Sequence, residues 1–150
     1  MRYFCLLLLS LLPLLASAVE FDEHTRALPL GQEMAVFEDV RGAVSIADVS
    51  SEALAEAFHR HTKPVLNAGY SRSVFWLRLD LNYRPQTSSG AQPWLLEIAY
   101  PPLDQIELYL PDGRGGFELT QRTGDALPFA SRQIAQNNYV FALDLPPNQP

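Results

Sequence analysis

Between Tyr70 and Leu81 the chain reads Tyr-Ser-Arg-Ser-Val-Phe-Trp-Leu-Arg-Leu-Asp-Leu. At period two, Phe75, Leu77, Leu79 and Leu81 share one face, and Trp76, Arg78 and Asp80 share the other. The first row is a core stripe. The second sets an aromatic among charged and hydrogen-bonding neighbours, a row that is costly to bury without partners. Trp76 and Arg78 therefore admit two readings, as half-buried packing residues or as part of a ligand site.

The same alternation recurs on both sides of this stretch. Met34–Val40 reads as a first strand turned by Arg41-Gly42, and Val44–Ile46 as a short second one. Trp94–Tyr100 sets Trp94, Leu96, Ile98 and Tyr100 against Leu95, Glu97 and Ala99, and Pro101-Pro102 ends it. Gln105–Leu110 sets Ile106, Leu108 and Leu110 against Gln105, Glu107 and Tyr109. Asp112–Gly116 is a hairpin turn leading into Phe117–Arg122. Tyr139–Leu145 alternates again. One segment breaks the period: Ser50 or Ser51 caps a single short helix over residues 51–58, with Leu54, Ala55 and Phe58 on one face. Short strands about ten residues apart, punctuated by turns, predict an all-β sandwich or barrel.

The ends and the composition narrow the setting. Arg2, the apolar run Phe4–Leu15 and the small residues Ala16-Ser17-Ala18 read as a signal peptide over residues 1–18. That run is shorter than the roughly 20 residues a membrane span needs. Cys5, the only cysteine, leaves with it, so the exported chain has no disulfides. Residues 19–34 read as a polar lead-in, and 35–150 as the sandwich. With Arg2 gone, the 11 basic residues fall to 10 against 17 acidic ones, a formal charge of −7. Without a cationic patch, nucleic acid and anionic membrane surfaces are poor partners.

Catalytic patterns are missing: no Gly-x-Ser-x-Gly, no His-Glu-x-x-His, no P-loop and no paired Cys-x-x-Cys. His59 and His61 stand at a frayed helix end and predict no metal site. No carboxylates take the spacing of a compact calcium loop, though calcium held between separate loops stays open. Glu97 and Glu107 on adjacent strands read as a solvated sheet face. Around Thr123-Gly-Asp125 and Leu127–Arg132, an Asp125–Arg132 tie would fix the loop, or Arg132 would offer its planar fork to a ligand. The row Trp76, Arg78, Tyr100, Tyr109 and Tyr139 offers flat aromatics beside polar groups, the chemistry that receives sugars; core packing is the alternative.

Several of these pieces, taken in order, resemble a known family. Val36-Phe-Glu-Asp39 with Val44-Ser-Ile46, Gly69-Tyr-Ser-Arg72 running into Phe75-Trp-Leu-Arg78, Pro101-Pro-Leu-Asp104, Thr123-Gly-Asp125, Pro128-Phe-Ala-Ser-Arg132 and Tyr139-Val-Phe141 carry the likeness. The chain is similar to the type 2 extracellular sensor domain of bacterial seven-transmembrane receptors with diverse intracellular signalling modules. The resemblance implies a jelly-roll sandwich like that of carbohydrate-binding modules, located in the periplasm as the N-terminal part of an inner-membrane protein. It also implies further strands, then membrane helices and a histidine kinase or diguanylate cyclase, beyond Pro150. The expected function is non-catalytic sensing of a carbohydrate or another small polar ligand. Trp76, Arg78, Glu97, Tyr100 and Arg132 are the candidate binding residues, and no cofactor is called for. The alternative is a module that pairs with itself or with a partner sensor, using exposed strand edges.

Overall fold

The alternating segments form strands. The computed structural model describes residues 18–87 and 93–149, so the segment read as a signal peptide, apart from Ala18, and part of the loop after Arg84 lie outside the described residues. Nine short strands occur among these residues, with two α-helices of one turn each and a 3-10 turn over Phe129–Ser131. They are β1 (Val19–Phe21), β2 (Ala35–Asp39), β3 (His59–Arg60), β4 (Val74–Arg78), β5 (Leu81–Tyr83), β6 (Trp94–Ile98), β7 (Ile106–Pro111), β8 (Phe117–Thr123) and β9 (Tyr139–Leu143). β2 lies between β3 and β4, all antiparallel; β6 pairs antiparallel with β9, and β7 with β8. β1 and β5 pair in parallel. This is an all-β sandwich architecture.

The core follows the period-two rows of the last strands. Tyr139, Phe141 and Leu143 of β9 are buried, and Trp94, Leu96 and Ile98 of β6 pack around them with Ile106, Leu108 and Leu110 of β7. Burying side chains of this size stabilises the fold by about 1.5–3 kcal/mol each. A second, smaller cluster joins Phe21, Tyr83 and Trp94, with the Phe21 and Trp94 rings edge-on at 4.8 Å.

Five expectations are corrected. The single helix over residues 51–58 is two turns, α1 (Ile46–Val49) and α2 (Glu52–Ala55), and Phe58 lies beyond both. Helix begins early because Ser45 and Asp48 form a capping box, each side chain bonded to the other's backbone N–H. For the same reason Val44–Ile46 is not a strand. The segment read as a polar lead-in contributes β1. Three residues are too few to show a period, and their partner β5 is distant in sequence. Finally, Val74–Leu81 is not continuous: β4 ends at Arg78 and β5 starts at Leu81, because the two pair in different sheets. Leu77, expected in the core, is 46% exposed.

The Arg41-Gly42 turn forms as expected. The buried Asp39 carboxylate accepts from the N–H groups of Arg41, Gly42 and Val44, and Gly42 takes the positive φ of 62° that favours glycine. This fixes the end of β2 and, through the Phe37–Trp76 pairing, the height of Trp76.

Candidate functional site

The site begins with a turn. Asp112 Oδ1 accepts from the N–H groups of Arg114 and Gly116, holding the glycine-rich hairpin that joins β7 to β8. These bonds keep the Asp112 carboxyl below its ordinary range. Down the hairpin the register shifts between Leu108 and Tyr109: Leu108 faces Gln121, but Tyr109 faces Leu119. Thr120 is the extra residue of a β-bulge. Three-residue spacing in a regular strand sends side chains to opposite faces, and the bulge cancels this. Leu119 and Arg122 consequently share the outer face with Phe117, opposite Tyr109, Glu107 and Pro111 respectively.

This outer face is graded. At one end Glu107 is the hub: Oε1 accepts from Arg122 Nε and Gln105 Nε2, both at 2.8 Å, and Oε2 accepts from the Tyr109 hydroxyl at 2.5 Å. The Tyr109 bond, followed by the Arg122 charge, holds the Glu107 carboxyl below the usual carboxylate range. The same bond pushes the Tyr109 hydroxyl up. At neutral pH the pair is therefore carboxylate and phenol. Toward the turn the face becomes apolar, with Leu119 and Phe117 each more than two-fifths exposed.

Trp76 completes it. Its ring lies 5.8 Å from that of Tyr109, tilted by 37°. The indole Nε1 is buried with no partner among the described residues, which costs about 1–3 kcal/mol. On the same side of β4, the Arg78 guanidinium stands 4.8 Å over the Phe58 ring and its Nε is 3.9 Å from Asp80 Oδ2. Phe58 in turn meets Phe37, the cross-strand neighbour of Trp76. Trp76 and Arg78 thus sit in one aromatic row, as the alternation indicated.

The other candidates lie apart from that row. Glu97, exposed on β6, accepts from Asn138 Nδ2 at 2.6 Å. Tyr100 is exposed in the loop after β6. Arg132 Nη1 donates to the carbonyls of Gln136 and Asn137, and its guanidinium covers the Tyr139 ring at 4.3 Å. The Tyr139 hydroxyl donates onward to the carbonyls of Pro101 and Leu103. Among the described residues no hydrogen bond, ion pair or ring contact joins Glu97, Tyr100 or Arg132 to Trp76. The expected Asp125–Arg132 tie is not made either. The Asp125 N–H instead donates to the Leu103 carbonyl, and Gly124 passes so close to Asp104 that a Cβ would meet its carbonyl oxygen at 2.1 Å. Glu97 and Glu107 stand on strands that do not pair.

Sequence reasoning missed Arg122, Gln105 and the hub role of Glu107. Its one available signal was Gln105, Glu107 and Tyr109 sharing a row; nothing marked Thr120 as a bulge. Among the described residues one carboxylate–histidine group, Asp22, Glu23 and His24, is compact enough to hold a cation. Glu23 is occupied, though: it accepts from the N–H groups of Gln86 and Thr87 and from the Thr87 hydroxyl, which lowers its pKa to about 2. That carboxylate fastens the segment after β1 to the loop after β5.

No described helix is long and apolar enough to cross a membrane. No curated protein and no solved structure matches the chain. The family described as 7TMR-DISM extracellular 2 matches residues 31–150. That span holds β2 to β9, including the whole Trp76–Tyr109–Glu107–Arg122 arrangement, and the chain belongs to this family of extracellular sensor domains of seven-transmembrane receptors.

Proposed function

We propose that this domain is a non-catalytic periplasmic sensor that binds a carbohydrate or another small polar molecule on the outer face of β7–β8. Its receptor would pass the signal to a histidine kinase or a diguanylate cyclase. The observation that carries the ligand reading is the Trp76 ring set against Tyr109 beside the Glu107–Arg122 pair. Sugars present apolar C–H faces and hydroxyl rims, and flat aromatics flanked by fixed polar groups complement both. The non-catalytic reading rests on the state of Glu107. It is ionised and bonded on both oxygens, so it is suited neither to donating a proton nor to attacking a substrate.

The test is calorimetry of the purified chain against a panel of oligosaccharides. At least one should bind with measurable heat, and Trp76→Ala should weaken that binding tenfold or more, about 1.4 kcal/mol. Silence across the panel, or binding indifferent to Trp76→Ala, would overturn the reading.

A further inference from the structure

We infer that the ligand of this face carries a carboxylate, as an acidic sugar does, and that Arg122 is the residue that reads it. The inference rests on the ligand-surface reading above and adds the polarity of what is bound. It follows from which hydrogen-bonding capacity remains unspent. Neutral sugars are held through hydroxyls that both donate and accept, so a receptor for them offers free acceptors as well as donors. Here Glu107 already accepts three bonds, from Tyr109, Arg122 and Gln105, which leaves about one of its four lone-pair sites for a ligand.

Most of the unspent capacity lies in donors. Arg122 uses only Nε; among the described residues its two terminal nitrogens donate to nothing, and its side chain is 55% exposed. A guanidinium fixed through Nε leaves its outer edge as a planar fork, the shape that takes a carboxylate through two parallel bonds. The Glu107 bond orients that fork beforehand, so little side-chain freedom is lost on binding. Beside it, Tyr109 and Leu119 supply the apolar floor for a sugar ring. The chain's overall negative charge does not forbid this. Charges farther off than about 8 Å are largely screened at physiological ionic strength, and a direct bidentate contact is not.

The experiment compares trigalacturonate, its methyl ester and neutral galactotriose by calorimetry, using the full chain and three variants. Trigalacturonate should bind at least tenfold more tightly than the ester or the neutral sugar. Arg122→Gln should remove that preference, so that acid, ester and neutral sugar bind this variant with affinities within about twofold of one another. Arg122→Lys retains a cation beside Glu107 but lacks the fork, and should also lose most of the preference; unchanged thermal midpoints for this variant guard against misfolding. Trp76→Ala should weaken all three sugars. Equal affinity for acid and ester, or a preference that survives Arg122→Gln, overturns the inference. If Trp76-dependent binding persists in that case, the ligand surface itself stands. Absence of any Trp76-dependent binding removes both.

Discussion

Glu107 and Arg122 face each other across β7 and β8 and are joined at 2.8 Å, even though Arg122 lies three residues from Leu119 on the same face. Only the bulge at Thr120 makes this possible. The residues it leaves on the inner side also have work to do: Gln121 Nε2 donates to the Ser131 carbonyl, and the Thr123 hydroxyl meets that of Ser131 at 3.0 Å. Deleting Thr120 restores strict alternation and breaks one set of contacts or the other. The expected result is a loss of at least about 2 kcal/mol, read by urea denaturation, since a buried polar contact or a placed charge is lost in either case. A variant as stable as the parent would show that the bulge is incidental.

The core is the simplest part to test. Phe141 is 1% exposed between β6 and β7 neighbours. Phe141→Ala should lower stability by about 3–5 kcal/mol. Its urea m-value should stay unchanged, because the area exposed on unfolding is similar.

Glu23 gives a pH signature. Its folded-state pKa, about 2, lies below the ordinary 4.5 because the Thr87 hydroxyl and neighbouring N–H groups bond the carboxylate. A depressed carboxyl pKa contributes stability that is present above the unfolded value and is lost as pH falls through the folded one. The thermal-midpoint gap between the parent and Glu23→Gln should therefore hold steady above about pH 5 and shrink steadily toward pH 2. A gap that does not change with pH would contradict this role.

Arg132 is expected to act on its loop. It bonds two carbonyls and covers Tyr139, so Arg132→Ala should cost about 1–3 kcal/mol. Amide exchange over residues 133–138 should quicken in this variant, while β7 and β8 should keep their protection. Uniform loss of protection throughout the chain would instead mark Arg132 as a core residue.

How far the chain could be read in advance follows from these cases. Strands with a clear period two, such as Trp94–Ile98 and Tyr139–Leu143, were legible because burial on one face writes itself into the sequence. That Trp76 and Arg78 share one side of β4 was legible from the same alternation. β1 was not: three residues carry no period, and their pairing with β5 is fixed from far along the chain. The helical turns were misplaced because the Ser45–Asp48 box lies ahead of the apolar positions that drew attention. Arg122 could not be seen, since a bulge residue such as Thr120 has no chemical mark, and one extra residue reverses the face of everything after it. Arg132 was read as tied to Asp125 or open to a ligand because its actual partners are backbone carbonyls, which any sequence could supply.

The central claim is that Trp76, and not Trp94, lies at the ligand surface. The chain has two tryptophans, so a ¹H–¹⁵N spectrum carries two indole N–H signals, assignable with Trp76→Phe and Trp94→Phe. During titration with a binding sugar the Trp76 signal should move progressively, while the Trp94 signal, enclosed by Phe21 and Tyr83, should stay in place. A moving Trp94 signal beside a stationary Trp76 would contradict the account.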